Sequence, residues 1–176
     1  MLTGTSRSIT VNFFTSSYRV LGKIWVGNSG LIGLLSDPNS SYVEVTHASL
    51  ARLHEPKNVV TQPREIGLVK RGISVVSLAR EADVGPRVVA RQGYGAATKY
   101  HIQAISADFE MEGDLEWTGR FELEALMVEG AREYIPLYDT VLRAIYYPEL
   151  TVKSPALIFN RRKIDILRTI EKEGEG

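Results

Sequence analysis

The chain has 176 residues, of which 44% are hydrophobic and 24% charged, and this is the composition of a globular protein rather than a disordered one. It contains no cysteine, which excludes disulfides, cysteine-ligated zinc and thiol catalysis. The formal net charge is zero, no segment approaches the roughly 20 apolar residues of a membrane-spanning helix, and the first residues lack the pattern of a secretory signal. We therefore expect a soluble, cytoplasmic protein with no membrane span.

The zero net charge conceals an asymmetry between the two halves of the chain. Residues 1–88 carry ten Lys and Arg against six Asp and Glu, whereas residues 89–176 carry eleven against fifteen. Opposite charge on two parts of one chain bears on association and steering rather than on the fold.

Alternation of apolar and polar residues runs through the first half and predicts strands. Residues 27–30 and 36–41 have the composition of turns, and residues 42–53 and 66–78 are predicted strands. The glycines at 27–30 are not followed by the Lys-Ser/Thr of a phosphate-binding loop, so we interpret them as a turn.

The clearest alternation lies in the second half, at residues 108–117, where every even position is acidic and every odd position is apolar or glycine. This pattern predicts a strand with one buried face and one face in water. We expect residues 121–126 to form another strand after a turn near Gly119. Pro148 argues against a long helix before it, so we expect at most one short C-terminal helix, over residues 162–172.

A shift of about 91 residues superimposes apolar positions, a glycine and a proline of the first half on those of the second. With at most one inserted residue, it aligns 11–15 with 102–106, 18–22 with 109–113, 42–45 with 134–137, and 68–76 with 159–167. We interpret this as an internal duplication. The predicted organisation is a β module at residues 10–76, a linker at 77–100, a second β module at 101–167 and a tail at 168–176. The linker contains turn signals such as Gly-Tyr-Gly at 93–95.

Each module offers about five strands, which predicts an all-β fold of two tandem, strongly bent sheets or small barrels. A module of this size buries little surface alone, so we expect the two to pack together or to oligomerise.

Residues 66–76 place an Arg-Gly turn, Arg71-Gly72, between two short apolar strands. This segment resembles the second motif of the Sm-like small β-barrels, although SH3-like barrels share the layout and a tandem bacterial family without known activity is also similar. The second module has Arg162-Lys163 at the turn and lacks the glycine, and residues 36–39 do not match the first Sm motif. The resemblance implies a nucleic-acid surface formed by Lys70, Arg71, Arg161, Arg162 and Lys163. A net charge of zero argues against that function.

No catalytic residues are predicted. His47 and His54 are seven residues apart in a β region, which places them on opposite faces unless a turn intervenes and argues against a shared metal ion. The third histidine, His101, has no catalytic motif around it. We expect no enzymatic activity, no cofactor and no metal.

Two strand faces that correspond under the 91-residue shift carry opposite charge. The acidic ridge consists of Glu110, Glu112, Asp114 and Glu116, and its basic and apolar counterpart consists of Arg19, Leu21, Lys23 and Trp25. Charge complementarity and the apolar anchors Leu21 and Trp25 predict that the two faces bind each other, within one chain or between chains. Alternatively, the acidic residues form a solvated edge that opposes aggregation.

These observations favour a non-enzymatic assembly or scaffold protein that acts through self-association or through a protein partner. Two alternatives remain open at this stage. One is an Sm-like nucleic-acid-binding protein, and the other is a small-ligand or regulatory sensor with a pocket between the modules.

Overall fold

The structure, a computed structural model, describes residues 4–87, 96–128 and 132–171. The first half forms β1 (Arg7–Phe14), β2 (Tyr18–Val26), α1 (Gly30–Ser36), β3 (Tyr42–Arg52), β4 (Val59–Thr61), β5 (Glu65–Val69), a 3-10 turn at Lys70–Gly72 and β6 (Val75–Leu78). After a 3-10 turn at Glu81–Asp83, the second half forms β7 (Thr98–Ser106), β8 (Phe109–Trp117), α2 (Leu123–Met127), β9 (Tyr134–Ala144), β10 (Thr151–Asn160), a 3-10 turn at Arg161–Lys163 and β11 (Ile164–Thr169).

All eleven strands belong to one antiparallel sheet, in the order β11-β7-β8-β9-β10-β6-β1-β2-β3-β4, with β5 also paired to β3. The predicted β class is confirmed in its coarse form, since the fold is mostly strand with two short α-helices. The strands do not separate into two sheets, because β6 of the first half pairs with β10 of the second. Within the described ranges, no helix has the length and apolar character needed to cross a membrane.

Side-chain alternation explains why these segments form strands. In β2, Val20, Ile24 and Val26 are buried, whereas Lys23 and Trp25 between them are exposed. The predicted strand at 108–117 is confirmed as β8, whose odd positions from 109 to 115 are buried. Each strand therefore gives one face to the core.

The hydrophobic core has two clusters, one under each half of the sheet. Each cluster takes residues from the other half. The first-half cluster includes Tyr134, Tyr138, Ala156 and Ile158, and the second-half cluster includes Phe14, Leu53 and Val75. The two halves therefore share their apolar packing across the line where β6 meets β10.

Two local predictions were wrong, and one helix was not predicted. Residues 121–126 do not form a strand, because Leu123–Met127 is α2, with Leu126 buried. The turn at 27–30 leads directly into the unpredicted helix α1. The short C-terminal helix is replaced by β11, since pairing with β7 satisfies the backbone of this segment in the sheet.

The predicted linker starts later than expected, since Ser77 and Leu78 are still part of β6. The glycine-rich residues 93–95 lie outside the described ranges. The predicted tail begins inside β11, which extends to Thr169.

Close backbone contact between two glycines attaches α1 to the segment after β6. Gly30 has φ +65° and Gly85 has φ +133°, and a Cβ on Gly30 would lie 2.4 Å from the Gly85 Cα. The Ile32 N–H donates to the Val84 carbonyl at 2.9 Å. Only glycine fits this approach, because a side chain at either position would meet backbone atoms.

Gly85→Ala is expected to lower the free energy of unfolding by about 2 kcal/mol, because the new Cβ would lie 2.3 Å from the Ser29 carbonyl oxygen in a backbone conformation that favours glycine. Urea denaturation measures this change. Gly27→Ala is the control, since a Cβ there meets no atom within 4 Å. Equal stabilities of the two variants would contradict the close approach.

Candidate functional site

The most informative contact in the chain is the pairing of β6 with β10, which we call the seam. Its register is Ala156–Leu78, Leu157–Ser77, Ile158–Val76 and Phe159–Val75, and all eight residues are buried. Side chains extend the ladder, since the Tyr134 hydroxyl donates to the Lys70 carbonyl at 3.0 Å and the Asn160 amide donates to the Ile73 carbonyl at 3.1 Å. Burial raises the pKa of Tyr134 to about 12, so its hydroxyl stays protonated as a donor.

The element bounds of the two halves correspond at an almost constant offset. Strands β2 and β8 lie 91 residues apart, the two basic 3-10 turns also lie 91 apart, and β3 and β9 lie 92 apart. In this correspondence β5 matches the C-terminal part of β10, and β6 matches β11. The strands that match the two sides of the seam are therefore β5 and β11.

Strands β5 and β11 each have one free edge, because in the described chain β5 pairs only with β3 and β11 pairs only with β7. The Lys70 N–H donates to the Ser41 carbonyl, so alternation directs the N–H groups of Glu65, Gly67 and Val69 away from β3. The same rule applies to β11. The Ile170 N–H donates to the His101 carbonyl, so the N–H groups of Leu167 and Thr169 point away from β7.

Exposed apolar side chains lie beside these two edges. Four residues that are buried at the seam or in the core shared by the two halves have exposed counterparts at the shifted positions. Tyr134 (2% exposed) matches Tyr42 (52%), Asn160 (2%) matches Val69 (47%), Leu53 (3%) matches Ile145 (36%), and Val75 (0%) matches Ile166 (53%). The free edges thus carry the apolar surface that the seam buries.

The two charged ridges predicted from the sequence do not meet within the chain. Strand β2 lies between β1 and β3, and β8 lies between β7 and β9, so the ridges are on separate parts of the sheet. On the basic ridge, Trp25 is 61% and Leu21 39% exposed, and the Arg19 side chain donates to the Asn12 side chain at 2.9 Å. That ridge is open to solvent, and its binding to another chain stays a prediction.

The acidic ridge has partners within the chain. Glu112 and Asp114 both contact His101, and Glu116 forms an ion pair with Arg87. Glu110 lies opposite Arg143 of β9 in the sheet register. These cations reduce the repulsion among the four carboxylates without a second protein.

His101 lies between two carboxylates. Its Nδ1 is 2.8 Å from Asp114 Oδ1, and its Nε2 is 2.9 Å from Glu112 Oε1. Burial alone lowers the pKa of His101, but the hydrogen bonds to Glu112 and Asp114 and their negative charges outweigh it and raise the pKa above 6.5. Both ring nitrogens are engaged, and no group of three or more His, Cys, Asp or Glu in the described ranges is arranged to hold a metal ion.

Because its pKa is raised in the folded state, protonated His101 stabilises the fold fully below its unfolded pKa, and this contribution is lost as the pH rises through the raised value. His101→Gln is therefore expected to lower the free energy of unfolding more at about pH 5.5 than at about pH 9. Urea denaturation at the two pH values measures the difference. His54→Gln is the control, since His54 is exposed and contacts the ring of Tyr147. An equal loss at both pH values would contradict the protonated pairing.

The five cations of the nucleic-acid hypothesis lie on the two 3-10 turns and do not form one open basic patch. Lys70 is buried and donates to the Asp37 carbonyl, and the Arg161 side chain donates to the Arg132 and Met127 carbonyls. Arg162 lies 3.5 Å from Glu133. The two remaining cations of this set are Arg71, which is exposed, and Lys163, which is half-buried. Nucleic-acid binding stays an untested prediction.

The edges of β5 and β11 are the part of the site that sequence reasoning missed. The available signal was the 91-residue shift, which aligns Tyr42 with Tyr134, with one inserted residue, and Val75 with Ile166. The pairing of β6 with β10 is not visible in the sequence, so nothing in the sequence distinguished the exposed residue of each pair from the buried one.

Comparisons with protein-family models, with curated proteins and with solved structures found no match. The resemblance to Sm-like barrels therefore rests on the residues quoted above, and the function must be argued from the geometry of this chain.

Proposed function

We propose that the chain is a non-enzymatic assembly protein that associates with copies of itself, and that β5 of one copy pairs with β11 of the next. The seam is the main support for this proposal, because within one chain it pairs the strands that correspond to β11 and β5. If the halves derive from a duplication, each strand of the seam has a counterpart in the other half, since β5 corresponds to β10 and β11 corresponds to β6. Strands β6 and β10 pair with each other in the seam, and β5 and β11 keep the corresponding edges free.

The seam supplies a register for the contact between chains. Transferring its pairs by 91 residues places Glu65 opposite Thr169, Gly67 opposite Leu167 and Leu68 opposite Ile166. These strands would pair antiparallel, and the outward N–H groups of Gly67 and Leu167 would face each other as a hydrogen-bonded pair.

Burial favours the same contact. Tyr42 would reach the backbone at Arg161 of the next chain, as Tyr134 reaches the Lys70 carbonyl in the seam. Ile166 would become buried in the contact between chains, as its counterpart Val75 is buried in the seam with 0% exposure. Covering exposed Tyr, Val and Ile side chains with a second chain removes apolar surface from water, and unpaired strand edges gain a hydrogen-bonding partner.

The two edges belong to different strands, so the contact is heterologous and each chain has one edge of each kind. Repetition of such a contact closes into a ring when the rotation between neighbours allows it, and otherwise runs on as a filament. The pairing thus predicts an assembly of two or more chains, the smallest being a dimer that makes the contact twice.

Light scattering after size exclusion is expected to give a mass of two or more chains for the unchanged protein. Ile166→Lys should reduce the mass to that of one chain, because it places a charge within the buried contact while Ile166 is exposed in the single chain. Val60→Lys is the matched control, since Val60 is an exposed aliphatic residue of β4, outside the proposed register. A single-chain mass for the unchanged protein at high concentration would contradict self-association.

A double variant, Arg19→Glu with Lys23→Glu, separates this contact from the one predicted on the β2 face. If the free edges make the assembly, the double variant keeps the mass of the unchanged protein at both about 50 mM and about 500 mM salt. If the double variant loses association while Ile166→Lys keeps the mass of the unchanged protein, the contact between chains lies on the β2 face instead.

A further inference from the structure

A cavity lies where the two halves of the chain meet, on the side of the sheet that carries α1 and α2. Its volume is about 230 Å³. Its walls come from both halves, namely from α1, from the segment after β6, from the end of β8, from α2 and from β9. The lining residues used below are Ile32, Leu115, Trp117, Thr118, Arg132 and Tyr138.

The walls are mainly apolar and the fold holds them in place. Leu115 and Leu126 are buried core residues, and Trp117 packs edge-on against Phe121 with ring centroids 5.5 Å apart. On the first-half side, Ile32 is fixed by the hydrogen bond from its N–H to the Val84 carbonyl. Small-molecule sites in proteins share these features, since they are concave, apolar and frequent at the junction between two units.

Among the described residues around the cavity, one cationic side chain forms no ion pair with a carboxylate. Glu116 is neutralised by its ion pair with Arg87, whose guanidinium also lies 4.1 Å from the centroid of the Tyr138 ring. Arg132 is exposed and forms no ion pair with any described residue, and its carbonyl is held by the side chain of Arg161 at 3.1 Å. Burial raises the pKa of Tyr138, so its hydroxyl remains a donor.

We propose that this cavity binds a small amphipathic anion, with an apolar chain or ring against Trp117 and Leu115 and a carboxylate at Arg132. A cavity of this size exceeds the roughly 150 Å³ of an apolar protein cavity that accommodates benzene. Arg132 and the Tyr138 hydroxyl both favour an acceptor group, whereas a cationic ligand would meet Arg132 unfavourably. None of the lining residues lies on β5 or β11, so the cavity is independent of the self-association proposed above.

The test uses octanoate and its uncharged counterpart octanol as probes. Trp25 and Trp117 are the two tryptophans of the chain, so Trp25→Phe leaves Trp117 as a fluorescent reporter in the cavity wall. Octanoate is expected to change the Trp117 emission saturably and to bind about fivefold more tightly than octanol, the size of effect that one partly exposed charge pair supplies. Arg132→Gln should remove this preference.

Two variants that fill the cavity, Thr118→Phe and Ile32→Phe, should abolish the response, and Thr61→Phe on exposed β4 is the matched control. Thermal unfolding checks that each variant is folded. Loss of the octanoate response in one folded filling variant is enough to support the site. No saturable response to octanoate, or a response that survives filling, would overturn the site. Equal affinities for octanoate and octanol, unaffected by Arg132→Gln, would overturn the assignment of an anion.

Discussion

Strand β6 has four residues, all of them buried, and it pairs with β1 of its own half on one side and with β10 of the other half on the other. Without this strand the sheet would divide in two, and Tyr134, Tyr138 and Ile158 would lose their place in the first-half core. Sharing of core residues across the seam means that neither half buries its apolar surface completely alone. Apolar surface also remains exposed at the two ends of the sheet, at Tyr42, Val69 and Ile166.

The proposed function follows from this geometry. A contact that exists once inside the chain, between strands whose counterparts each keep one free edge in the described chain, is the simplest template for a contact between chains. The cavity between the halves depends on the seam as well, because the seam sets how closely α1 approaches β9. Assembly and ligand binding would use separate residues, so each is open to test without the other.

Periodicity in the sequence predicted the strands in which apolar and polar residues alternate. Residues 42–53 and 108–117 alternate strictly enough to predict β3 and β8 almost to their ends. Periodicity failed at α2 and β11, where short apolar segments are compatible with helix or strand and only distant neighbours decide. The seam and the contacts of His101 could not be predicted, because pairing between strands distant in sequence leaves no mark on the spacing of residues.

Cysteine cross-linking between chains tests the central claim most directly, because the natural chain contains no cysteine. In the proposed register Leu68 of one chain lies opposite Ile166 of the next, within the Cα distance of about 4.4–6.8 Å that a disulfide spans. A chain with Leu68→Cys mixed with a chain with Ile166→Cys should form a covalent dimer on mild oxidation, whereas Leu68→Cys with Leu167→Cys should form little, since a shift of one residue in the regular part of β11 reverses the face. Efficient cross-linking of both pairs, or of neither, would contradict pairing of β5 with β11.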